Sequence, residues 1–396
     1  MKPQLRFPEF DGAWQAMHGD DAFKSRRQRA KEGLPLYSVT IDQGMVRRDS
    51  LDREFASNAP DEANLRVFKD DHVYNMMRMW QGAVGRAPEE CMVSPAYVVL
   101  EPMPDTVPAF FDHWFKRKRS LYLLWAYSYG LTNDRLRLYA RDFGRVPMAL
   151  PAAAEQRKVA DFLGSVDERI KLLQRRRHAL ERYKTGMMQC LFDQSRRFTR
   201  DDGTNFSDWR EVRLGDVATF AKGRGVSKDD ISIDGLTPCI RYGELYTTYS
   251  ERINRVCSRT NAPSNGLLFS NNGDVILPAS GEMPLDMASA SCVMLEGIAL
   301  GGDINVIRSS LNGLFLAYLL RGPLRRSVAR LAQGNSVVHL YGSHLAGLKL
   351  LVPTDADEQS KIADFLSLLD DKIAAVSTQI DQMQAFKKAL LQQMFV

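Results

Sequence analysis

The stretch EQRKVADFLGSVDERI, residues Glu155–Ile170, returns 203 residues later as EQSKIADFLSLLDDKI, residues Glu358–Ile373. The same offset continues without a gap to Phe192 and Phe395, and 12 of the 38 aligned positions are identical. Ordinary composition would give about two or three identities by chance. The chain therefore contains an internal repeat, which bears on the architecture before any local pattern is considered.

Each copy of the repeat has the apolar spacing of a long helix. In the second copy, apolar residues recur at alternating steps of four and three from Ile362 to Met383, which is the seam of a coiled coil. Neither copy contains proline, and a rise of 1.5 Å per residue predicts a helix of roughly 57 Å. Because such a helix cannot bury its seam alone, we expect the two copies to pair with each other. In the first copy, Arg177 interrupts the seam. The predicted pairing residues are Leu163, Val166, Ile170, Leu173, Leu180, Leu366, Leu369, Ile373, Val376, Ile380 and Met383.

The rest of the chain forms two segments of mixed character. We divide the sequence into a globular domain at 1–150, a first helix at 151–193, a polar linker at 194–208, a second globular domain at 209–352 and a second helix at 353–396. Short apolar and β-branched runs between turns indicate strands in both globular domains. The predicted fold class is α+β, in which two globular domains are separated by two long helices. These helices would pair as an antiparallel coiled coil and make the molecule a pseudo-twofold repeat.

Composition restricts the class of protein. The net charge is +5, but residues 151–200 carry +6 and residues 354–396 carry −3, a difference that would favour pairing of the two helices. A mild positive balance permits nucleic-acid binding. The five cysteines include no CxxC pair, which argues against a zinc ribbon or a disulfide framework. The longest apolar run, Leu314–Leu320, is too short to span a bilayer, and MKPQLRFPEF is not a secretory signal, so we expect a cytoplasmic location.

The sequence lacks the common motifs of catalysis. We find no P-loop, nucleophile elbow, HExxH pair, metal-spaced cluster or (N/D)PP(Y/F) motif of adenine methyltransferases. The chain is therefore expected to be non-catalytic and to bind no cofactor itself. Two alternatives stay open: a self-contained methyltransferase or nuclease with unrecognised motifs, and a coiled-coil scaffold that does not read DNA.

The arrangement resembles the specificity subunit of a type I restriction–modification system. One part of the resemblance is the pair of helices that follow a proline and begin EQ…K(V/I)ADFL. Another is the pair of lead-in segments Leu5–Trp14 (LRFPEFDGAW) and Trp209–Val217 (WREVRLGDV). The segments Tyr74–Gly85 (YNMMRMWQGAVG) and Cys239–Tyr249 (CIRYGELYTTY) are similar to pieces of that family's target-recognition domains. The resemblance covers nearly the whole chain, and the repeat helices are its specific part.

The resemblance implies a division of labour. Each globular domain would be a target-recognition domain that reads one half of a bipartite, asymmetric target in double-stranded DNA. The paired helices would set the spacer between the halves and dock two modification (methyltransferase) subunits, which restriction subunits with a motor would join. S-adenosylmethionine, ATP and Mg²⁺ would bind to those partner subunits. The family works on DNA and not at a membrane.

Base reading requires polar side chains presented to a groove, with phosphate contacts around them. In the first domain the candidates are Tyr74, Asn75, Arg78 and Gln81 for bases, and Lys116, Arg117, Lys118 and Arg119 for phosphates. In the second domain they are Arg241, Tyr242, Glu244, Tyr246, Ser280, Glu282, Asn335 and Ser336. Each side chain could instead serve the fold, since a basic run also suits a solvated helix end and an Arg–Tyr pair also suits strand packing.

Overall fold

The computed structural model describes residues 2–51, 61–132, 135–334 and 336–396. The chain divides into two compact units. The first unit is Met1–Arg175 together with Ser377–Val396, and the second is Arg176–Val376. Both boundaries fall inside the repeat, so each unit consists of one globular part and portions of two long helices.

The repeat forms the two long helices that its spacing predicts. Helix α5 is Ala153–Phe192 and helix α11 is Ala356–Gln393. Each begins shortly after a proline, Pro151 or Pro353, because proline has no N–H to donate and its fixed φ suits the approach to a helix.

The globular part of the first unit is a mixture of short strands and helices. Its strands are β1 Gln15–His18, β2 Phe23–Arg26, β3 Leu36–Thr40, β4 Gly44–Arg47, β5 Leu65–Val67, β6 His72–Asn75, β7 Val84–Arg86, β8 Cys91–Val93, β9 Tyr97–Pro102 and β10 Pro147–Leu150. Its helices are α1 Gly19–Ala22, α2 Pro108–Trp114, α3 Lys118–Ala126 and α4 Ala140–Phe143. The strands form the sheets β2-β9-β6-β7 and β4-β3-β8-β5 and the antiparallel ribbon β1-β10.

The globular part of the second unit has the same kinds of element. Its strands are β11 Arg210–Arg213, β12 Ala218–Lys222, β13 Thr237–Ile240, β14 Arg252–Ile253, β15 Ser258–Thr260, β16 Leu268–Phe269, β17 Asp274–Pro278, β18 Ser280–Gly281, β19 Ser291–Val293, β20 Ala299–Leu300, β21 Ile304–Ser309, β22 Val338–His339 and β23 Lys349–Val352. Its helices are α6 Leu214–Val217, α7 Glu244–Thr247, α8 Gly313–Arg321, α9 Arg325–Leu331 and α10 Gly342–Ala346. The sheets are β12-β21-β17-β19-β14 and β15-β13-β20-β16, with ribbons β11-β23 and β18-β22.

The two globular parts share most of their order of strands, and the second part adds β14 at a sheet edge and the ribbon β18-β22. The first and last strands of each part pair antiparallel, as β1 with β10 and as β11 with β23. The second sheet of each part has a parallel pair at its centre, β3 with β8 and β13 with β20. The repeat therefore extends from the helices into the globular parts, where most of the strand order is shared although the sequences differ.

The apolar run Leu314–Leu320 lies in helix α8 and is buried throughout. It packs against buried strand residues of the same unit, including Val275 and Leu277 of β17. Its apolar character is thus explained by the core of the second unit. Among the described residues, no helix is both long enough and apolar enough to cross a membrane.

The predicted seam contributes to the core of each unit. In the first unit, Leu163 and Ile170 of α5 share a core with Leu390 and Met394 of α11. The early part of α5 thus packs with the late part of α11. The second unit has the reverse combination, since the late part of α5 shares a core with the early part of α11. Most of the predicted pairing residues are buried, namely Leu163, Val166, Ile170, Leu173, Leu366, Leu369, Val376 and Ile380. The half-buried ones are Leu180, Ile373 and Met383.

The segment 194–208, which we predicted as a linker, is also a packing element. Phe198 places its ring edge-on to Phe365 of α11, with 5.7 Å between the ring centroids. Phe7 makes the same contact with Phe162 of α5, also at 5.7 Å. The polar composition of 194–208 concealed this contact, because its two aromatic residues, Phe198 and Phe206, form no apolar period.

Candidate nucleic-acid interface

The first glutamate of the repeat anchors the globular part of the first unit to helix α5. The side chain of Glu155 is 3% exposed. Its carboxylate accepts two hydrogen bonds of 2.7 Å from Arg6 and one of 3.2 Å from the indole N–H of Trp14. Bidentate pairing of this kind fixes orientation as well as distance. We call this arrangement the carboxylate clamp of the unit.

The second unit has the same carboxylate clamp. Glu358 accepts hydrogen bonds of 3.0 and 2.8 Å from Arg197 and one of 3.1 Å from the indole N–H of Trp209. Sequence analysis missed the two arginines. The dipeptide Arg–Phe at Arg6 and Arg197 was the available signal, although the lead-in segments were aligned on other residues.

The glutamine that follows the glutamate of each carboxylate clamp binds the backbone at the start of one helix in its globular part. Gln156 accepts a 2.9 Å hydrogen bond from the backbone N–H of Val107, which precedes α2. Gln359 accepts a 2.9 Å hydrogen bond from the backbone N–H of Asn312, which precedes α8. The identical Glu–Gln pair of the repeat therefore serves to position the globular parts rather than to contact DNA.

A tight turn after β6 presents the first group of predicted base contacts. The side-chain oxygen of Asn75 accepts a 3.0 Å hydrogen bond from the backbone N–H of Met77, which shapes the turn. Gly82 ends it with a φ of 93°, a left-handed conformation that suits glycine. The side chains of Arg78 and Gln81 are exposed on this turn. Two of the predicted base-reading residues are therefore available to a partner.

Tyr74 does not belong with them. It is fully buried, and its ring lies 5.8 Å from that of Phe143. Its hydroxyl finds no hydrogen-bond partner among the described residues, and burial raises the pKa of this phenol. The prediction that Tyr74 contacts DNA is wrong, because its side chain lies on the core face of β6.

The basic cluster Lys116–Arg119, at the start of α3, also contains both exposed and buried side chains. Its exposed members are Lys116, Lys118 and Arg119. Arg117 is 8% exposed, donates a 2.7 Å hydrogen bond to the backbone oxygen of Val396, and lies 4.8 Å above the ring of Phe395. Burial lowers the pKa of this guanidinium to about 10. Arg117 thus holds the end of the chain, and its prediction as a phosphate contact is wrong.

In the second unit, segments that are distant in sequence lie together. The hydroxyl of Tyr246 donates a hydrogen bond to the backbone oxygen of Ser280. Ser280 in turn pairs with His339 in the ribbon β18-β22. A side chain at Gly281 would come within 2.7 Å of the Tyr246 hydroxyl, so this close approach requires glycine. The predicted contacts around residues 241–246 and 280–282 therefore converge, next to the turn that precedes β22.

Two of the predicted contacts in the second unit are interior. Glu244 is 6% exposed. It accepts hydrogen bonds from the backbone N–H of Arg241 at 3.1 Å and from the hydroxyl of Ser258. Ser280 is 8% exposed, and its hydroxyl donates to Asp303 at 3.1 Å. Their prediction as DNA contacts is wrong, because both side chains are used to close turns inside the unit.

The other candidates of the second unit are accessible to different degrees. Arg241 and Tyr246 are half-buried, while Tyr242, Glu282 and Ser336 are exposed. Asn335, also predicted as a contact, lies outside the described residues. In the described ranges, no group of histidine, cysteine, aspartate or glutamate side chains is arranged to hold a metal ion. The exposed candidates thus offer a phenol, a carboxylate and a hydroxyl.

Known protein families and solved structures include matches to this chain. Residues 206–385 match the type I restriction modification DNA specificity domain. The fold is similar to the crystal structure of the type I restriction–modification system S subunit from M. genitalium, with a TM-score of 0.61 and 14% identity over 100% of this chain and 99% of that chain. It is also similar to a chain solved in work on complex assembly and conformational transition of the type I R-M system, with a TM-score of 0.56 and 17% identity over 99% of each chain. Identities this low show a shared fold. Residues 206–385 are therefore identified as a type I restriction modification DNA specificity domain, and the whole chain shares the fold of solved S subunits of type I restriction–modification systems.

Proposed function

We propose that this chain is the non-catalytic DNA-reading subunit of its complex and that each globular part reads one half of a bipartite target. One observation carries the proposal: the two units share most of their strand order and the same carboxylate clamp, yet they present different exposed side chains. Equal frameworks suit two similar DNA-facing surfaces. Unequal surface chemistry suits two different half-sites, and therefore an asymmetric target.

The first half-site would be read by the turn after β6. Arginine pairs with the acceptors of guanine and glutamine pairs with adenine, so Arg78 and Gln81 have suitable chemistry. The turn lies against α3, since a side chain at Gly82 would be 3.5 Å from Leu121. We propose that the exposed basic residues at the start of α3, Lys118 and Arg119, contact phosphates beside this turn.

The second half-site would be read by the converging segments of the second unit. Arg241 and Tyr242 lie on one of them and Glu282 on another. A carboxylate can accept a hydrogen bond from cytosine, while arginine prefers guanine. This combination differs from the arginine and glutamine of the first unit, which is the support for two unlike half-sites.

The long helices would pair along their length as an antiparallel coiled coil and set the spacer. We propose that they also dock two modification subunits. Tyr183 of α5 and Phe386 of α11 occupy equivalent positions of the repeat and are 50% and 49% exposed. Two exposed aromatic side chains at equivalent positions suit two copies of one partner. S-adenosylmethionine, ATP and Mg²⁺ would be bound by the modification and restriction subunits, and the complex would act on cytoplasmic DNA.

Mapping methylated adenines across a genome tests this proposal. Co-expression of the chain with its modification subunits should produce one bipartite, asymmetric motif that disappears without the chain. Replacing Arg78 and Gln81 together by alanine should relax one half of the motif and leave the other intact. A good bidentate contact gives about 1–3 kcal/mol of base discrimination, or roughly 5- to 150-fold. Replacing the exposed Lys31 by alanine is the matched control and should leave both halves unchanged.

Two results would overturn the proposal. Methylation without sequence preference in the complete complex would indicate a scaffold that does not read DNA. Methyl transfer or DNA cleavage by the purified chain alone would indicate an enzyme.

A further inference from the structure

Each unit contains one lysine–aspartate ion pair that joins the two long helices. In the first unit, Lys387 of α11 pairs with Asp167 of α5. In the second unit, Lys184 of α5 pairs with Asp370 of α11 at 2.7 Å. The lysine side chains are 16% and 13% exposed, and the aspartates 28% and 23%. These pairs are therefore largely withdrawn from solvent, unlike most surface ion pairs.

The repeat relates the two pairs. Asp167 and Asp370 occupy equivalent positions, as do Lys184 and Lys387, and all four are among the identities of the repeat. From Asp167 to Lys184 is 17 residues along α5, and from Lys387 back to Asp370 is also 17 residues along α11. Both pairs therefore satisfy the same antiparallel register.

A side chain from the globular part lies against each ion pair. In the first unit, His113 of α2 places its Nδ1 atom 3.8 Å from the Asp167 carboxylate. In the second unit, Tyr318 of α8 donates its hydroxyl hydrogen to Asp370. Lys184 lies 5.1 Å from the centroid of the Tyr318 ring. In the second unit, Tyr318 and Glu251, which lies 3.0 Å from Lys184, link the ion pair to the globular part, whereas His113 in the first unit only lies beside its aspartate.

We propose that these two ion pairs are positioning residues that select the antiparallel orientation and the register of the long helices, and thereby the spacer of the DNA target. The apolar seam repeats every seven residues, so it tolerates slippage by one heptad. The ion pairs do not tolerate such slippage, because it would bring Asp167 opposite Ile380 or Met394. A charge left unpaired among apolar residues strongly disfavours that arrangement.

The same residues exclude a parallel arrangement. Parallel helices aligned on their repeats would bring Asp167 towards Asp370 and Lys184 towards Lys387. Like charges at close range in a partly buried seam repel each other. Polar residues in a coiled-coil seam are known to select orientation and register in this way, at a cost in stability.

The consequence for DNA rests on the proposed function. Slippage by one heptad moves one helix along the other by about 10 Å. That distance corresponds to about three base pairs. A register that is set by ion pairs would therefore appear as a single spacer length in the recognised motif.

The main experiment measures the register without DNA. Spin labels at the exposed positions Leu172 and Gln382, both in the first unit, would report the distance between α5 and α11, in a background where the accessible Cys190 and Cys257 are replaced by serine. The chain with native ion pairs should give one narrow distance distribution. Replacing all four charged residues by leucine should add a second population at longer distance, because an axial slip of about 10 Å moves two opposite labels apart along the helices. Because apolar residues suit the seam, this variant is expected to fold.

A charge-swap series in the first unit tests whether a reversed ion pair restores the register. Lys387→Asp places two carboxylates together and should broaden the distance distribution. Adding Asp167→Lys should restore the narrow distribution, which a purely local effect of either substitution would not do. Neutralising the exposed pair Glu168–Lys171, with side chains 69% and 58% exposed, is the matched control and should change nothing.

The spacer is then measured separately. In the complex with modification subunits, the four-leucine variant should methylate a second motif whose spacer differs by about three base pairs. A single narrow distance distribution in that variant would overturn the proposal that the ion pairs select the register, whatever DNA is methylated. A shifted register with an unchanged single spacer would support the role of the ion pairs in the register. It would overturn the inference that the register sets the spacer of the DNA target.

Discussion

Replacing Glu155 by alanine removes the shared acceptor of the Arg6 guanidinium and the Trp14 indole N–H. The glutamate side chain is 3% exposed and that of Arg6 is 14% exposed, so water cannot readily replace the lost carboxylate. Removing one partner of a buried ion pair typically costs about 3–5 kcal/mol, because the other charge stays buried and unpaired. Since small domains are stable by roughly 5–15 kcal/mol, this would be a large share of the stability of the first unit.

The assay is urea denaturation combined with hydrogen exchange. The exchange of backbone amides in the ribbons β1-β10 and β11-β23 reports the two units separately. Glu155→Ala should lower protection in the first ribbon, and Glu358→Ala should lower it in the second. A double-mutant cycle that pairs Glu155→Ala with Arg6→Met should show strong coupling between the two residues.

The matched control is an ion pair of the same chemical type on the surface. Glu211 and Lys349 are 2.7 Å apart with side chains 62% and 65% exposed, so Glu211→Ala should cost less than about 1 kcal/mol. A loss below about 1 kcal/mol for both Glu155→Ala and Glu358→Ala would refute the reasoning that the clamps anchor the globular parts.

Three further predictions test the framework. Burial lowers the pKa of His113 to about 4 from an ordinary value of 6.5, so the folded protein should lose up to roughly 3 kcal/mol as the pH falls from 6.5 to 4. Denaturation across this range should show a flatter dependence for His113→Gln, whereas the exposed His178→Gln should match the unsubstituted chain. Gly164→Ala, with no neighbour within 4 Å, should raise the melting temperature through a gain of about 0.5–1 kcal/mol, whereas Gly85→Ala would bring a methyl group 2.3 Å from a backbone nitrogen and should lower it. Asn312→Ala removes the side chain that caps α8 and should cost about 1 kcal/mol in thermal unfolding, a result that an unchanged melting temperature would contradict.

Much of the helical framework could be predicted from sequence. The spacing of apolar residues is local information, and it located both long helices and most of their buried positions. The identities of the repeat also included Asp167 and Lys184, although their partners were not predicted. A repeat shows which residues are equivalent, but contact between them depends on the direction in which the helices run.

The candidate DNA contacts could be predicted from sequence only in part. Sequence identified the turn with Arg78 and Gln81, because glycine, asparagine and polar residues mark an exposed turn. It could not separate these residues from Tyr74, one strand position away from the turn. Nor could it show that Arg117 and Glu244 are buried, since Arg117 has exposed neighbours and binds the distant Val396, while Glu244 accepts a hydrogen bond from the more distant Ser258.

The amino-acid sequence by itself determined the repeat, the two long helices and the family resemblance. Each of these depends on residue identity and spacing along the chain. Tertiary structure alone decided which polar side chains face inward. A charged residue can be buried only where a partner from elsewhere in the chain offsets the loss of hydration, and the location of that partner is a property of the folded chain.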